Sequence, residues 1–113
     1  MSKTTTAHGK RCNSGDVVLV EARFIDSYES KMRPAYVLFE AYDNVVLAAI
    51  TTNLNMDGVL LRKQEGAAED SMIKTNYIFT VDREDIVKIF FTVSELKKAE
   101  VCADLTKRMD CRG

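Results

Sequence analysis

Short apolar runs rich in β-branched residues recur along the chain, and they constrain its fold more than any other feature. They lie at residues 17–24, 34–41, 45–51, 59–61, 71–81 and 86–93. Runs of this length, bounded by polar turn-forming segments, are typical of β-strands. After Ser94, a good helix N-cap, the pattern changes and apolar residues recur at helical spacing. The residues at that spacing are Leu96, Ala99, Cys102, Leu105 and Met109. The sequence therefore predicts a mainly β fold, a small and partly closed barrel with a C-terminal α-helix.

The length of 113 residues predicts one domain. Residues 1–14 contain no aliphatic side chain beyond Met1 and Ala7, so we expect a flexible tail followed by a single domain over 15–113. No apolar run is long enough to span a membrane, and the N-terminus lacks the apolar segment of a signal peptide. These features favour a cytoplasmic protein.

Charge and histidine content restrict the possible chemistry. Sixteen basic residues against seventeen acidic ones give a net charge of −1, which argues against a general binder of nucleic-acid backbones but leaves room for a local basic cleft. The single histidine, His8, falls in the expected tail. Catalysis that depends on a histidine base, including a serine or cysteine triad, would therefore need a residue that the fold does not hold in place.

No metal or cofactor is expected from the motifs. The cysteines are Cys12, Cys102 and Cys111, which form no C-x-x-C pair, and reduced thiols are expected for them. The acidic run Asp82, Glu84 and Asp85 is interpreted as a solvated turn. No glycine-rich phosphate-binding loop is present. Arginine, lysine, hydroxyl and aromatic side chains remain, and these suit phosphates and bases.

An ordered set of short blocks points to a family. The blocks are G-D-V-V-L-V (15–20), S-K-M-R-P-A-Y-V-L (30–38), L-A-A-I-T-T (47–52), S-M-I-K-T-N-Y-I (71–78), T-V-D-R (80–83) and V-S-E-L (93–96). Over residues 15–109 this order resembles the MazF/PemK toxin family. The resemblance implies an SH3-like barrel, usually a homodimer, that cleaves single-stranded RNA sequence-specifically without a metal. It further implies that the ribose 2′-hydroxyl attacks the adjacent phosphorus, leaving a cyclic phosphate and a 5′-hydroxyl. A cognate antitoxin polypeptide is expected to occupy the RNA groove.

By motif position, the resemblance places the catalytic arginine at Arg33 and the catalytic hydroxyl at Thr51. We expect Arg33 where a mobile loop (25–33) enters a strand that begins at Pro34, and Thr51 at the end of an apolar strand. A guanidinium has a pKa above about 12 and resists deprotonation, so an electrostatic clamp and a donor to the leaving group are the roles that fit it. The base that activates the 2′-hydroxyl is left unassigned.

Further RNA-binding candidates follow from the same resemblance. They are Tyr28, Glu29, Lys31, Thr52, Lys74 and Asn76. Glu29 is the nearest candidate for a general base, and Tyr28 for stacking on a nucleobase. Asn76 stands where some relatives carry a carboxylate, and its amide can bind a base edge but cannot act as a base. Regular alternation places Lys74 and Asn76 on one face of their strand, with Thr75 and Tyr77 on the other.

Two alternatives to a nuclease stay open. The same fold serves a toxin type that binds DNA gyrase without doing chemistry, and a catalytically silent barrel could act as a protein-interaction module. The sequence also departs from the family pattern at Phe91, which stands where relatives usually carry a glycine. Phe90 and Phe91 cannot both be buried in one strand unless each face is covered. The combination of Arg33 with Thr51 favours the nuclease.

Overall fold

A computed structural model of the protein describes residues 11–22 and 31–110. The elements in this part of the chain are β1 (Asp16–Ala22), β2 (Lys31–Ala41), β3 (Asn44–Thr51), β4 (Val59–Leu61), β5 (Ser71–Asp82), β6 (Ile86–Thr92) and α1 (Glu95–Met109). Short 3₁₀ turns at Lys63–Glu65 and Arg83–Asp85 precede β5 and β6. The strands and the closing helix confirm the predicted fold class.

The strands form one sheet in the order β4-β5-β3-β2-β1-β6, in which every neighbouring pair is antiparallel. β4 and β6 are the two edges of this sheet. The sheet is therefore a curled half-barrel that stays open between these edges, which confirms the expected partly open barrel.

Apolar side chains cover both faces of the central strands. On one face, Val18, Val37 and Leu47 belong to a single buried cluster. On the other, Val17 and Tyr36 pack in a second cluster that includes Val101 of α1. Because both faces are buried, successive residues of β1 are apolar rather than alternating, as the sequence of this strand predicted.

The helix begins where the sequence predicts, but it buries a different stripe. The Ser94 hydroxyl accepts a hydrogen bond from the Lys97 N–H at 3.2 Å. Lys97 and Val101 are buried, whereas Leu96 is 84% exposed and Met109 is 66% exposed, and of the expected apolar stripe only Leu105 is half-buried, so the expected stripe was wrong. The reason is that the Lys97 Nζ donates to the Leu60 carbonyl at 2.6 Å, which draws the aliphatic stem of that side chain inward. Ala99 and Cys102 are also exposed.

Strand β2 begins three residues before its expected start at Pro34. Lys31, Met32 and Arg33 pair with Ala22, Glu21 and Val20 of β1. Arg33 therefore lies inside a paired strand and not at the end of the expected loop. The polar composition of this segment concealed the strand, because backbone pairing with β1 does not depend on apolar side chains.

The packed structure also extends further toward the N-terminus than expected. Cys12 is 5% exposed, and its backbone N–H donates to the Glu40 carboxylate at 2.8 Å. Burial raises the pKa of the Cys12 thiol to about 11, with the nearby Glu40 adding to the shift, so the group is a neutral thiol at pH 7. The remainder of the expected tail, residues 1–10, lies outside the described residues, as does Cys111. Within the described residues, no helix is long and apolar enough to cross a membrane.

Candidate functional site

An open cavity of about 440 Å³ lies where the start of β2, the end of β3 and the middle of β5 meet. We call it the site cavity. Its lining consists of Lys31, Met32, Arg33, Pro34, Ala49, Ile50, Thr51, Thr52, Lys74 and Tyr77. Both residues expected to be catalytic line it, together with three of the expected RNA-binding residues. Tyr28 and Glu29 lie outside the described residues.

Strand register explains why Arg33 and Thr51 meet. Ala35 of β2 pairs with Ala49 of β3, and Ala49 pairs in turn with Lys74 of β5. Arg33 and Thr51 lie two residues from Ala35 and Ala49 and so point to the same face of the sheet, while Lys74 lies directly opposite Ala49. Ala49 lines the cavity, and its small side chain leaves space between these three residues.

A backbone contact fixes the Thr51 side chain. Its Oγ1 accepts a hydrogen bond from the Asn53 N–H at 3.1 Å, at the turn that ends β3. A hydroxyl accepts and donates at the same time, so this contact leaves the Thr51 proton able to reach a ligand oxygen. Thr52 follows at the rim, where it borders both the site cavity and a neighbouring apolar pocket.

An irregularity in β5 brings a further aromatic side chain into the site. Ala48 and Ala49 are adjacent in β3, yet they pair with Ile78 and Lys74, so residues 75–77 have no partner in that strand. Lys74 and Tyr77 consequently line the same cavity, with the Lys74 Nζ 5.3 Å from the centre of the Tyr77 ring. The expected alternation, with these two residues on opposite faces, was wrong. Tyr77 was missed because nothing in the composition of β5 signals the irregularity, and Asn76 is exposed outside the cavity lining.

The site cavity is positively charged although the whole chain is not. Lys31, Arg33 and Lys74 line it, and none of its described lining residues carries a carboxylate. Among the residues that the structure describes, no group of histidine, cysteine and acidic side chains is arranged to hold a metal ion. The groups present are guanidinium, ammonium, hydroxyl and a phenol ring, a set that suits a phosphodiester flanked by bases.

An apolar pocket of about 520 Å³ adjoins the site cavity and shares Pro34, Ile50 and Thr52 with it. Phe90 and Phe91 form part of its wall. The Phe91 ring packs against Gly66, where an added Cβ would lie 2.8 Å from the ring. The glycine at position 66 thus makes room for the Phe91 ring, while Phe90 is 45% exposed.

A family model covers nearly all of this structure. The model described as PemK-like, MazF-like toxin of type II toxin–antitoxin system matches residues 13–108. The chain belongs to this toxin family. The match includes every strand and nearly all of α1, so the site cavity lies wholly within the region shared with other PemK-like, MazF-like toxins.

Solved structures of MazF toxins have the same fold. The Mycobacterium tuberculosis toxin MazF-mt6 is 16% identical with a TM-score of 0.68, covering 85% of this chain and 99% of that one. The MazE–MazF complex from Deinococcus radiodurans is 15% identical with a TM-score of 0.73, over 91% and 99% of the two chains. An endoribonuclease in complex with its cognate antitoxin, from Mycobacterial species, is 12% identical with a TM-score of 0.67, over 92% and 98%. No curated protein matches the sequence significantly.

Proposed function

We propose that the protein is an endoribonuclease toxin that cleaves single-stranded RNA in the site cavity. One observation carries the proposal. Arg33 and Thr51 lie on two different strands and are identified by separate motifs, yet both line one cavity. Among the described residues that line this cavity, every charged side chain is cationic. Membership of a toxin family and a fold shared with mycobacterial endoribonucleases support it.

The reaction is a transesterification that requires no metal. The ribose 2′-oxygen forms a bond to the adjacent phosphorus, the bond from phosphorus to the 5′-oxygen breaks, and a 2′,3′-cyclic phosphate and a 5′-hydroxyl result. Arg33 neutralises the charge that grows on the phosphoryl oxygens and donates toward the leaving oxygen. Thr51 donates a hydrogen bond to a phosphoryl oxygen and keeps its proton. The proton that completes the 5′-hydroxyl comes from water, because the Arg33 guanidinium resists deprotonation. Glu29, the expected candidate for the base that accepts the 2′-proton, stays a prediction.

The other residues of the site cavity bind the RNA on either side of the cleaved bond. Lys31 and Lys74 contact flanking phosphates, and Tyr77 offers a ring for base stacking. A base must leave a duplex to reach that ring, which explains a preference for single strands. We assign Thr52 and Asn76 to the outer part of the RNA path, and Tyr28, which lies outside the described residues, stays a prediction.

We further infer that the toxin acts as a homodimer and is inhibited by a cognate antitoxin polypeptide. Solved complexes of MazE with MazF, and of a mycobacterial endoribonuclease with its antitoxin, support an antitoxin partner. The apolar pocket beside the site cavity supplies a surface on which a peptide would block RNA. Sedimentation should then give twice the 12.7 kDa of one chain.

The test is to incubate the purified protein with a long RNA in EDTA and to map the ends of the products. We expect cleavage at one recurring short motif, with 5′-hydroxyl and cyclic-phosphate ends. Loss of cleavage in EDTA, restored by a divalent ion, would contradict the metal-independent mechanism. Absence of cleavage in either condition would overturn the proposed activity, and inhibition of gyrase by the same sample would then identify the gyrase-binding alternative.

A further inference from the structure

A buried hydroxyl anchors the irregular part of β5 to the C-terminal helix. Thr75 is 2% exposed and is the buried member of the segment 75–77. Its Oγ1 donates a hydrogen bond to the Asp104 carboxylate and accepts one from the Arg108 Nε at 2.7 Å. The segment that disrupts regular pairing with β3 is therefore fixed by α1 instead of by its neighbouring strand.

Arg108 also holds the loop that follows β3. Its Nη2 lies 2.8 Å from the Asp57 carboxylate, while its Nε is 2.9 Å from Asp104 one helical turn earlier. One guanidinium thus joins α1, β5 and the loop at residues 52–58. We call Asp57, Thr75, Asp104 and Arg108 the C-terminal clasp.

Ion pairs and hydrogen bonds to charged groups join the residues of the clasp. The hydrogen bond from Thr75 is the largest cause that lowers the pKa of Asp104, and the bond to Asp57 is the largest that raises the pKa of Arg108. Next to Asp57, Gly58 runs so close to β5 that an added Cβ would lie 2.2 Å from the Ile73 carbonyl oxygen. The loop therefore has little freedom to shift relative to β5.

None of the clasp residues lines the site cavity, but each held segment contributes to it. Lys74 directly precedes the segment 75–77 that Thr75 anchors, and Tyr77 is the last residue of that segment. Thr51 leads directly into the loop that contains Asp57, and its hydroxyl contacts the backbone of Asn53 in that loop. The irregular part of the β5 wall is therefore held from α1, and Thr51 of β3 is connected to α1 through the loop at residues 52–58, in addition to the pairing of β3 with β2 and β5.

We propose that the C-terminal clasp positions Lys74, Tyr77 and Thr51 for RNA cleavage, so that Arg108 and Thr75 control the rate from outside the cavity. This inference rests on the proposed nuclease function. Its physical basis is that cleavage requires near-attack geometry. A displacement of about 1 Å can lower the rate by about 100-fold.

The test compares kcat and KM for a fluorogenic RNA oligonucleotide among clasp variants. Thr75→Val keeps the shape of the side chain and removes its hydroxyl, while Arg108→Met keeps the aliphatic stem. Both should lower kcat/KM by at least about 10-fold, because the clasp holds Thr51, which acts on the reacting phosphate, as well as Lys74 and Tyr77, which bind the strand. Lys107→Met removes a charge near Asp104 but none of the hydrogen bonds of the clasp, and it should match the wild type in both constants.

A double variant separates positioning from a general loss of stability. If Arg108 acts through Lys74, then Arg108→Met combined with Lys74→Ala should lose less activity than the product of the two single losses. Measurements are made below the melting temperature of each variant, and Asp57→Asn serves as a milder change should Arg108→Met fold poorly. Full multiplicative loss in the double variant, or wild-type kcat/KM in Thr75→Val and Asp57→Asn, would overturn the inference while leaving the nuclease function intact. A wild-type protein that cleaves no RNA overturns both.

Discussion

The two ends of β2 use positive charge in opposite ways. At the end of the strand, the Glu40 side chain is 5% exposed and is paired with Arg83, with Arg11 at 3.8 Å. Arg83 in turn lies 3.5 Å from Asp43 and donates to the Tyr42 carbonyl at 3.3 Å. At the start of the strand, Arg33 shares a cavity with Lys31 and Lys74 and with no carboxylate among the described lining residues.

This difference is what we expect between an arginine that stabilises the fold and one that is proposed to bind a ligand. Like charges brought together in a folded protein repel one another and stabilise nothing by themselves. An anionic ligand that enters between Lys31, Arg33 and Lys74 would lower this repulsion, whereas Glu40 at the other end already lies against Arg83. If the Arg33 substitution lowered stability and the Arg83 substitution abolished cleavage, this comparison would be wrong.

The largest expected effect is the loss of cleavage in Arg33→Ala. Removing a donor that stabilises transition-state charge typically lowers kcat by about 10²–10³-fold, or about 3–4 kcal/mol of barrier. The measurement is single-turnover cleavage of a short RNA at saturating protein. The melting temperature should fall only modestly, because Arg33 is half-buried and belongs to neither of the two buried apolar clusters. Wild-type cleavage by this variant would remove Arg33 from the mechanism.

The site shows how far sequence reasoning reaches. Arg33 and Thr51 could be predicted because their motifs identify them and because β2 and β3 are adjacent strands of a predicted hairpin. Tyr77 could not, since alternation assumes a regular strand and the irregularity in β5 depends on Thr75 meeting a helix 29 residues away. Contacts of such long separation leave no periodic signal in the local sequence.

The fold was predictable to a similar degree. Composition located each strand, but the start of β2 was missed because pairing with β1 extends it through polar residues. The stripe of α1 was misjudged for a related reason. A hydrophobicity pattern counts Lys97 as polar, although its ammonium group finds the Leu60 carbonyl and its stem is buried.

The next effect in size is on stability, at the opposite end of β2. Arg83→Met should lower the free energy of unfolding by about 2–3 kcal/mol, because it leaves the buried Glu40 carboxylate without its main partner. Urea denaturation at pH 7 measures this change. Cleavage by the folded variant should stay within about twofold of the wild type. A stability unchanged by the substitution would mean that Arg11 and the Cys12 N–H are enough to hold Glu40.

The smallest effect concerns the salt dependence of RNA binding. Each contact between a lysine and a phosphate of a single strand contributes about 0.7 to the slope of log K against log salt concentration. Lys74→Ala should therefore reduce the slope by about 0.7, measured by fluorescence anisotropy between 50 and 300 mM salt (roughly the range in which screening is incomplete). The oligonucleotide carries a 2′-deoxyribose at the cleavage position, which removes the nucleophile and keeps the phosphates.

The matched control is Lys63→Ala, which changes an exposed lysine outside the site cavity and should leave the slope unchanged. Equal slopes for the two variants would mean that the charge of the cavity does not face the RNA, and the contrast between the two ends of β2 would then have no functional meaning.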